Sequence, residues 1–328
     1  MEQVKNKNIM EIFSKMGIYI IFAILIIWFA LSNSRFLTVG NLLLILQQAS
    51  PMGIATIGMT FVMVTGGIDI SLGRNMFFVS AIVSFLAGRG AIIPASLFES
   101  PLGYIVVIGI TILIGCMIGA VNGILTARFS ILPFIVTLSS GSIIRGIGLT
   151  FTESATPSMV FFSPISNGSI AGIPVVIFMF VVALVVFHFI LNKTVFGRQI
   201  MAIGNSKEAA VKAGIQVKKV TILTYMLCGA LAAFAGVISA GQVGGVALSF
   251  GEGNEFVAIS AAVIGGTSLF GGKAKIIPGT IVGIVLITTI MNGLAMMNAS
   301  PYVYTIVRGV IIFAAVMLDS ASFKGHVK

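Results

Sequence analysis

Charge is the scarcest property of this sequence. Only 9% of its 328 residues are charged and 58% are hydrophobic, whereas about a quarter of the residues in a soluble domain are charged. An ordinary soluble protein is therefore excluded. Many of the apolar runs approach the ~20 residues that a helix needs to cross a bilayer. Strand-type alternation of polar and apolar residues is also missing, which disfavours a transmembrane β-barrel and favours helices.

Cysteines and catalytic motifs are scarce as well. The two cysteines, Cys116 and Cys228, lie inside apolar runs, which predicts small packed residues rather than a disulfide or a metal site. The segment TSLFGGKA, residues 267–274, comes nearest to a phosphate-binding loop, but it lacks that motif's first glycine and its final hydroxyl residue. We therefore expect no catalytic residue, no metal and no cofactor in this chain, and we do not expect it to be an enzyme.

The apolar runs predict an all-α bundle of about ten transmembrane helices, in a single domain that comprises residues 1–328. The third and eighth runs are short or interrupted by glycine, which is typical of a broken or half-spanning helix buried within protein. The predicted spans are residues 17–32, 41–65, 74–88, 102–127, 131–151, 171–191, 220–240, 255–267, 276–297 and 302–319.

The basic residues favour a topology with both termini in the cytoplasm. In that arrangement 15 of the 19 Lys and Arg fall in cytoplasmic segments, Arg35 and Arg89 fall outside, and Arg145 and Arg308 lie within spans, as the positive-inside rule requires. The net charge of +10 is then explained by anionic membrane lipid and not by nucleic acid. The acidic residues assigned to the outer side are Glu99, Glu153, Glu252 and Glu255.

A short internal repeat suggests two weakly similar halves. VTGGIDISLG at residues 64–73 resembles VIGGTSLFGG at residues 263–272, and each follows an apolar run. Duplicated halves with glycine-interrupted segments in matching positions are typical of transporters. The alternative is that these glycines only allow close packing of helices in lipid.

One polar loop, residues 192–219, contrasts with the apolar chain around it. Ser206 as an N-cap, Glu208 in the first turn and Gly214 after the end predict a short helix within this loop. At 100° per residue, one small smooth face of that helix is made by Ala209, Ala210 and Ala213. So short a helix is marginal in water by itself. It would either fit a groove of a cytoplasmic partner or belong to a loop lying on lipid headgroups.

Polar residues within the spans are candidates for contact with a polar cargo. Amides in lipid also serve as interhelical hydrogen-bonding groups, and arginine can snorkel to the headgroups. Asp69 follows the Gly66-Gly67 break and is predicted to cap the next helix, to pair with Arg74, or to form part of a cytoplasmic gate. The candidates for the pathway are Gln47, Gln48, Asn122, Thr137, Ser139, Ser140, Arg145, Asn292 and Arg308.

Four motifs together resemble the ribose-type permeases of ABC importers. Three blocks, MVTGGIDISLG (63–73), LPFIVTLSSGSIIRGIGL (132–149) and VAISAAVIGGTSLFGGKAKIIPGTIVG (257–283), are similar to conserved blocks of that family. The likeness extends from about residue 40 to residue 319. The fourth motif is the family's cytoplasmic coupling loop, which is matched by Gly204, Asn205, Glu208, Ala209, Ala210 and Gly214.

The resemblance implies a permease subunit of the cytoplasmic membrane that translocates a monosaccharide such as ribose. A second permease copy, identical or paralogous, would complete the pathway. A separate cytoplasmic ATPase, which holds ATP and Mg²⁺, would dock on the loop, and an extracellular or periplasmic binding protein would deliver the sugar.

Three other readings stay open at this point. The first is an ABC permease for a polyol, a nucleoside, a furanose-like signal or a branched-chain amino acid. The second is an ion-coupled secondary transporter, which needs a carboxylate at mid-membrane, whereas Asp69 and Asp319 are predicted at the cytoplasmic ends of spans. The third is a purely structural membrane protein.

Overall fold

The structure is a computed structural model that describes residues 19–20, 22–87, 94, 97, 100–153 and 155–324, with the backbone alone for 301 and 318–324. Both chain ends, the first two residues of the first predicted span, Arg89 and Glu99 lie outside the described residues. The side chain of Asp319 does so as well.

Helices account for nearly all of the described chain. A two-stranded hairpin, β1 (Ser169–Ile170) and β2 (Ile173–Pro174), precedes α7, and a π-helical turn (Ile276–Thr280) leads into α12. The helices are α1 (Phe22–Ser32), α2 (Val39–Val64), α3 (Leu72–Ala87), α4 (Pro101–Phe129), α5 (Pro133–Thr152), α6 (Ser163–Ser166), α7 (Val175–Lys193), α8 (Val195–Asn205), α9 (Lys207–Lys212), α10 (Val217–Val243), α11 (Asn254–Ile264), α12 (Ile281–Met296) and α13 (Pro301–Lys324).

The all-α prediction is confirmed. Among the described residues, six helices are long and apolar enough to cross a membrane, namely α2, α4, α5, α7, α10 and the combined helix at 276–296. Four shorter apolar helices, α1, α3, α11 and α13, coincide with the first, third, eighth and tenth predicted spans. A total of ten complete spans, and the side of the membrane on which the termini lie, stay predictions.

Helix α10 lies at the centre of the bundle and packs on α2, α3 and α4. Glycines allow the backbones to approach closely. A Cβ added at Gly229 of α10 would lie 3.0 Å from the amide nitrogen of Gly119 in α4, and small residues at such crossings are typical of helix packing in membranes. Cys228, also on α10, is buried and unoxidised, and Cys116 is a half-buried free thiol. Cys228 packs in the main hydrophobic core, as the sequence predicted.

Helices α3 and α11 have 16 and 11 residues, whereas α2, α4 and α10 have 26 to 29, and both shorter helices begin in the middle of the bundle. The Asn75 side chain, in the first turn of α3, donates a 3.0 Å hydrogen bond to the carbonyl of Gly229, which lies midway along the 27 residues of α10. A Cβ added at Gly251, just before α11, would lie 3.0 Å from the carbonyl carbon of Gly73. The two helices thus start side by side, as expected for half-spanning elements.

From this common start α3 and α11 run toward opposite ends of the bundle. Near its end, α3 is held by Ser84, whose hydroxyl donates to the Ser158 carbonyl at 2.6 Å, close to the end of α10. The turn after α11 reaches the other end, where Gly272 donates to the carbonyl of Val64 at 2.9 Å. That second end, which also carries α8 and α9, is called the loop end below.

Candidate functional site

The polar loop folds as two consecutive helices, α8 and α9. Thr194 caps α8, since its hydroxyl accepts from the Gly197 amide at 3.3 Å. Ser206 separates the helices and caps α9 by accepting from the Ala209 amide at 3.2 Å. Gly214 follows α9 with φ +78°, a conformation that costs glycine least. The predicted short helix is therefore confirmed, with its cap and its stop, at residues 207–212.

The face that α9 presents outward differs from the predicted one. Ala210 is only 2% exposed, because it packs into the main hydrophobic core. Of the three alanines on the predicted smooth face, Ala210 therefore packs on this chain itself and not on a partner. The outward face carries Glu208, Val211 and Lys212, with Ala209 at its edge. Val211 is 58% exposed and was not among the residues predicted for this face.

An open cleft of about 450 Å³ lies beside α9 at the loop end. Apolar and amide side chains line it together, so it suits an amphipathic element of a partner protein. Its lining includes Phe196, Gln199, Gly214, Gln216, Lys219 and Leu223.

Asp69 lies inside the bundle at the start of α3 and is 1% exposed. Its Oδ1 accepts from the amide of Ser71 at 2.9 Å and from the Ser71 hydroxyl at 2.6 Å. The Ser71 hydroxyl in turn accepts from the Asn122 side chain at 2.9 Å. Asp69 therefore stabilises the helix start, as one of the three predictions had it. A gating role for Asp69 stays a prediction.

Glu255 occupies the first turn of α11 and is 5% exposed. It lies next to Gly73, where α3 starts, and Arg74 is close enough to attract it electrostatically. The sequence had placed Glu255 outside the membrane and Asp69 at a cytoplasmic end. Both carboxyl groups instead lie within the bundle, because the non-helical segments 65–71 and 245–253 enter it from opposite ends. The argument that the chain has no interior carboxylate is therefore wrong.

Arg145 of α5 contacts the non-helical segment 245–253, which precedes α11. Its guanidinium donates to the Leu248 carbonyl at 2.7 Å, pairs with Glu252 at 2.6 Å and lies 5.3 Å from the centre of the Phe77 ring. These contacts hold Arg145 within the bundle instead of toward the headgroups.

Arg308 of α13 lies on the opposite flank of the same non-helical segment. A Cβ added at Gly253 would be 3.0 Å from its Nη1. Three basic and three acidic residues thus gather around the starts of α3 and α11, and their formal charges balance. This midbundle cluster consists of Asp69, Arg74, Arg145, Glu252, Glu255 and Arg308.

The remaining candidates for the pathway lie elsewhere. The Gln47 side chain donates to the Asn167 amide oxygen at 3.4 Å. Asn292 and Asn41 exchange two 3.0 Å hydrogen bonds between α12 and α2, and with the exposed Gln48 they line an open cleft of about 550 Å³. The interhelical use of Asn122 and Asn292 is therefore observed.

The hydroxyl residues of α5 fall into two groups. Thr137 is buried and accepts from the Ile70 amide at 3.0 Å, which fixes the segment that leads into α3. Ser140 donates to the Thr137 carbonyl at 3.3 Å, while Ser139 is exposed. Among the predicted pathway residues, Asn122 and Thr137 contact the segment around Asp69, and Arg145 and Arg308 lie against the segment that leads to Glu255.

Apolar helices of membrane-spanning length, two half-length helices that start together and a polar interior define a multi-pass membrane transport protein. The family model described as "Branched-chain amino acid transport system / permease component" matches residues 41–316. The chain belongs to this family of ABC importer permeases, which confirms the resemblance to its ribose-type members and the location in the cytoplasmic membrane.

Several curated relatives are similar over nearly the whole chain. The ribose import permease protein RbsC of Bacillus subtilis is 35% identical over 94% of this chain and 93% of its own length. The D-allose transport system permease protein AlsC of Escherichia coli K12 is 34% identical over 96% and 94%. The galactose/methyl galactoside import permease protein MglC of the same strain is 32% identical over 98% and 99%. No solved structure gave a significant match.

Proposed function

We propose that this chain is the membrane-spanning subunit of an ABC importer that takes up a monosaccharide of the ribose type. The observation that carries this proposal is the similarity, over more than nine-tenths of the chain, to import permeases named for ribose, allose and galactose. ATP would be hydrolysed by a separate cytoplasmic subunit, and a binding protein would deliver the sugar to the opposite face.

The ATPase docks on α9 and the cleft beside it. The exposed Val211 supplies an apolar contact, and Glu208 and Lys212 flank it with opposite charges. Ala210 anchors this short helix to the bundle, so a force applied to α9 reaches the bundle through α8 and α10, on which α9 packs. ATP and Mg²⁺ belong to the partner, and Gly204, Asn205 and Gly214 shape the loop that meets it.

The sugar passes the midbundle cluster. A neutral polyol needs hydrogen-bond donors and acceptors with little net charge, and a set of paired arginines and carboxylates offers both. Glu252 is 58% exposed and Arg145 is 20% exposed, so this pair lies at the open side of the cluster. Asp69 lies deeper, where a shift of the α3 start would open or close the route.

A second permease copy covers the open side next to α5. The outward face of α5 mixes the hydroxyl residues Ser139, Ser142 and Thr150 with apolar residues such as Ile143 and Phe151, whereas the outward face of α7 is mainly aliphatic and aromatic, as at Val181 and Phe189. Lipid suits the second surface better than the first. The α5 face is therefore the one that faces the other copy and the pathway between them.

The interior carboxyl groups of Asp69 and Glu255 favour one competing function, ion-coupled transport, because such transporters use intramembrane acids. The test is uptake of labelled sugars by vesicles that contain this chain with its ATPase and binding protein. We expect uptake of ribose or a related monosaccharide that requires ATP and the binding protein and survives an ionophore. Uptake that needs neither ATP nor the binding protein, and that an ionophore abolishes, would establish ion-coupled transport. ATP-dependent uptake of leucine without uptake of a sugar would show that the cargo is a branched-chain amino acid.

A further inference from the structure

Three segments that are far apart in sequence meet at the loop end through their glycines. They are the end of α2 with the turn after it (64–66), the end of α8 (204–205) and the turn between α11 and α12 (271–272). The amide of Gly272 donates to the carbonyl of Val64 at 2.9 Å. The contact brings together the two sequence motifs that repeat in the halves of the chain, and it adds the loop to them.

The backbones at this place are too close for side chains. A Cβ added at Gly204 would lie 3.0 Å from the Gly272 Cα and closer still to the Val64 carbonyl oxygen. Gly271 has φ +90°, and a Cβ there would be 3.0 Å from the Gly66 amide nitrogen. Because the neighbouring atoms are backbone, a rotamer change cannot relieve such a clash. In contrast, a Cβ added at Gly109 of α4 would meet nothing within 4 Å.

Each of the three segments is connected in sequence to a different helix, namely α9, α3 or α11. Residues 204–205 lead through Ser206 into α9, on the outside of the loop end. Val64 is followed by the non-helical segment 65–71, which ends at the start of α3. The turn at 271–272 follows α11 after a few residues. One point of contact thus connects the exposed helix of the loop to both half-length helices, whose starts meet at the midbundle cluster.

We propose that Gly204, Gly271 and Gly272 form a coupling junction, which passes a displacement of α9 to the half-length helices α3 and α11 together. Direct contact between backbones transmits such a displacement with little slack, since well-packed interiors have low compressibility. This inference rests on the proposed function, in which an ATPase moves α9. It assigns to these glycines a positioning role between ATP hydrolysis and the cargo route.

The test compares Gly204→Ala with Gly109→Ala in the assembled transporter, because both glycines lie in helices and only the first is packed against backbone. The measured quantity is sugar taken up per ATP hydrolysed, together with the amount of ATPase that co-purifies. We expect Gly204→Ala to keep its ATPase while this ratio falls about tenfold, within the ~5–150-fold range of typical coupling between sites. Gly109→Ala should leave both quantities unchanged.

If the Gly204→Ala protein does not assemble with its partners, the variant Asn205→Ala tests the coupling junction instead. The Asn205 side chain lies against Gly272, and its removal adds no atoms, so the fold should persist. We expect a smaller fall in the same ratio, with normal ATPase co-purification. The proposal is overturned if the ratio is unchanged, or if ATPase is lost while the remaining complexes transport normally per ATP. A wild-type complex that takes up no sugar with ATP would refute the proposed function instead.

Discussion

The midbundle cluster and the coupling junction hold the same two half-length helices in different ways. At the cluster the contacts are made by long charged side chains, such as Arg145 with Glu252 and the Leu248 carbonyl. At the junction they are made by glycine backbones with almost no intervening side chain. Side-chain contacts can be exchanged for contacts with a passing polyol, whereas backbone packing has one arrangement. Under the proposed function, the charged contacts at the starts of α3 and α11 rearrange, while the glycine contacts that precede α3 and follow α11 in the chain transmit the motion of α9.

The largest effect is expected from variants that prevent the ATPase from docking on α9. Glu208→Lys combined with Ala209→Arg places added positive charge and bulk on its exposed edge, so ATPase docking should be lost and ATP-driven uptake abolished while membrane insertion stays normal. Uptake assays and co-purification measure this. Lys218→Ala, exposed in the same loop beyond α9, serves as the control and should retain uptake; full uptake by the double variant would remove α9 from the docking surface.

Neutralising a buried carboxyl group of the midbundle cluster should lower the stability of the protein more than neutralising an exposed one. Glu255→Gln removes a carboxyl group that is 5% exposed together with its electrostatic attraction to Arg74, and solvent and salt screen such an attraction less inside the bundle than at the surface. We expect a clearly lower temperature of thermal unfolding in detergent. The matched change Glu252→Gln, at a residue that is 58% exposed, should cost less than about 1 kcal/mol. Equal effects of the two variants would contradict the burial of Glu255.

Arg145→Lys tests whether the open side of the cluster handles cargo. Lysine keeps the charge but cannot bond to the Leu248 carbonyl and to Glu252 through one planar group. We expect sugar uptake to fall several-fold, by about 1 kcal/mol or more, with no change in the amount of bound ATPase. Unchanged kinetics of uptake at all sugar concentrations would show that Arg145 has only a structural role.

The smallest expected effect concerns the cap of α9. Ser206→Ala removes the hydroxyl that accepts from the Ala209 amide, which costs about 1 kcal/mol of helix stability. Uptake should fall modestly, and Ser206→Asp, which restores an acceptor, should return it to the wild-type level. Failure of this rescue would mean that the hydroxyl acts in another way.

Much of this architecture could be predicted from the order of residues. The boundaries of α2, α4 and α10 lie within three residues of the predicted spans, because long apolar runs admit few alternatives in a bilayer. The cap at Ser206 and the stop at Gly214 could also be predicted, because helix capping depends on the residues next to the helix ends. Glycine interruptions also marked α3 and α11 as incomplete helices.

The arrangement of the charges could not be predicted in this way. Glu255 follows a stretch that looks like a surface loop, and only the contact of Gly251 with Gly73 shows that this stretch enters the bundle. Contacts between distant segments have no signature in local hydrophobicity. The partial exception is the repeat of VTGGIDISLG in VIGGTSLFGG, whose two copies prove to lie in contact through Val64 and Gly272.

The most direct measurement places a photo-crosslinking residue at Val211 in the assembled transporter, with the same residue at Val181 on the lipid-facing side of α7 as the control. An adduct between position 211 and the ATPase, and none from position 181, is the predicted result. If position 211 yields no ATPase adduct in complexes that still take up sugar with ATP, then α9 is not the surface on which the ATPase docks.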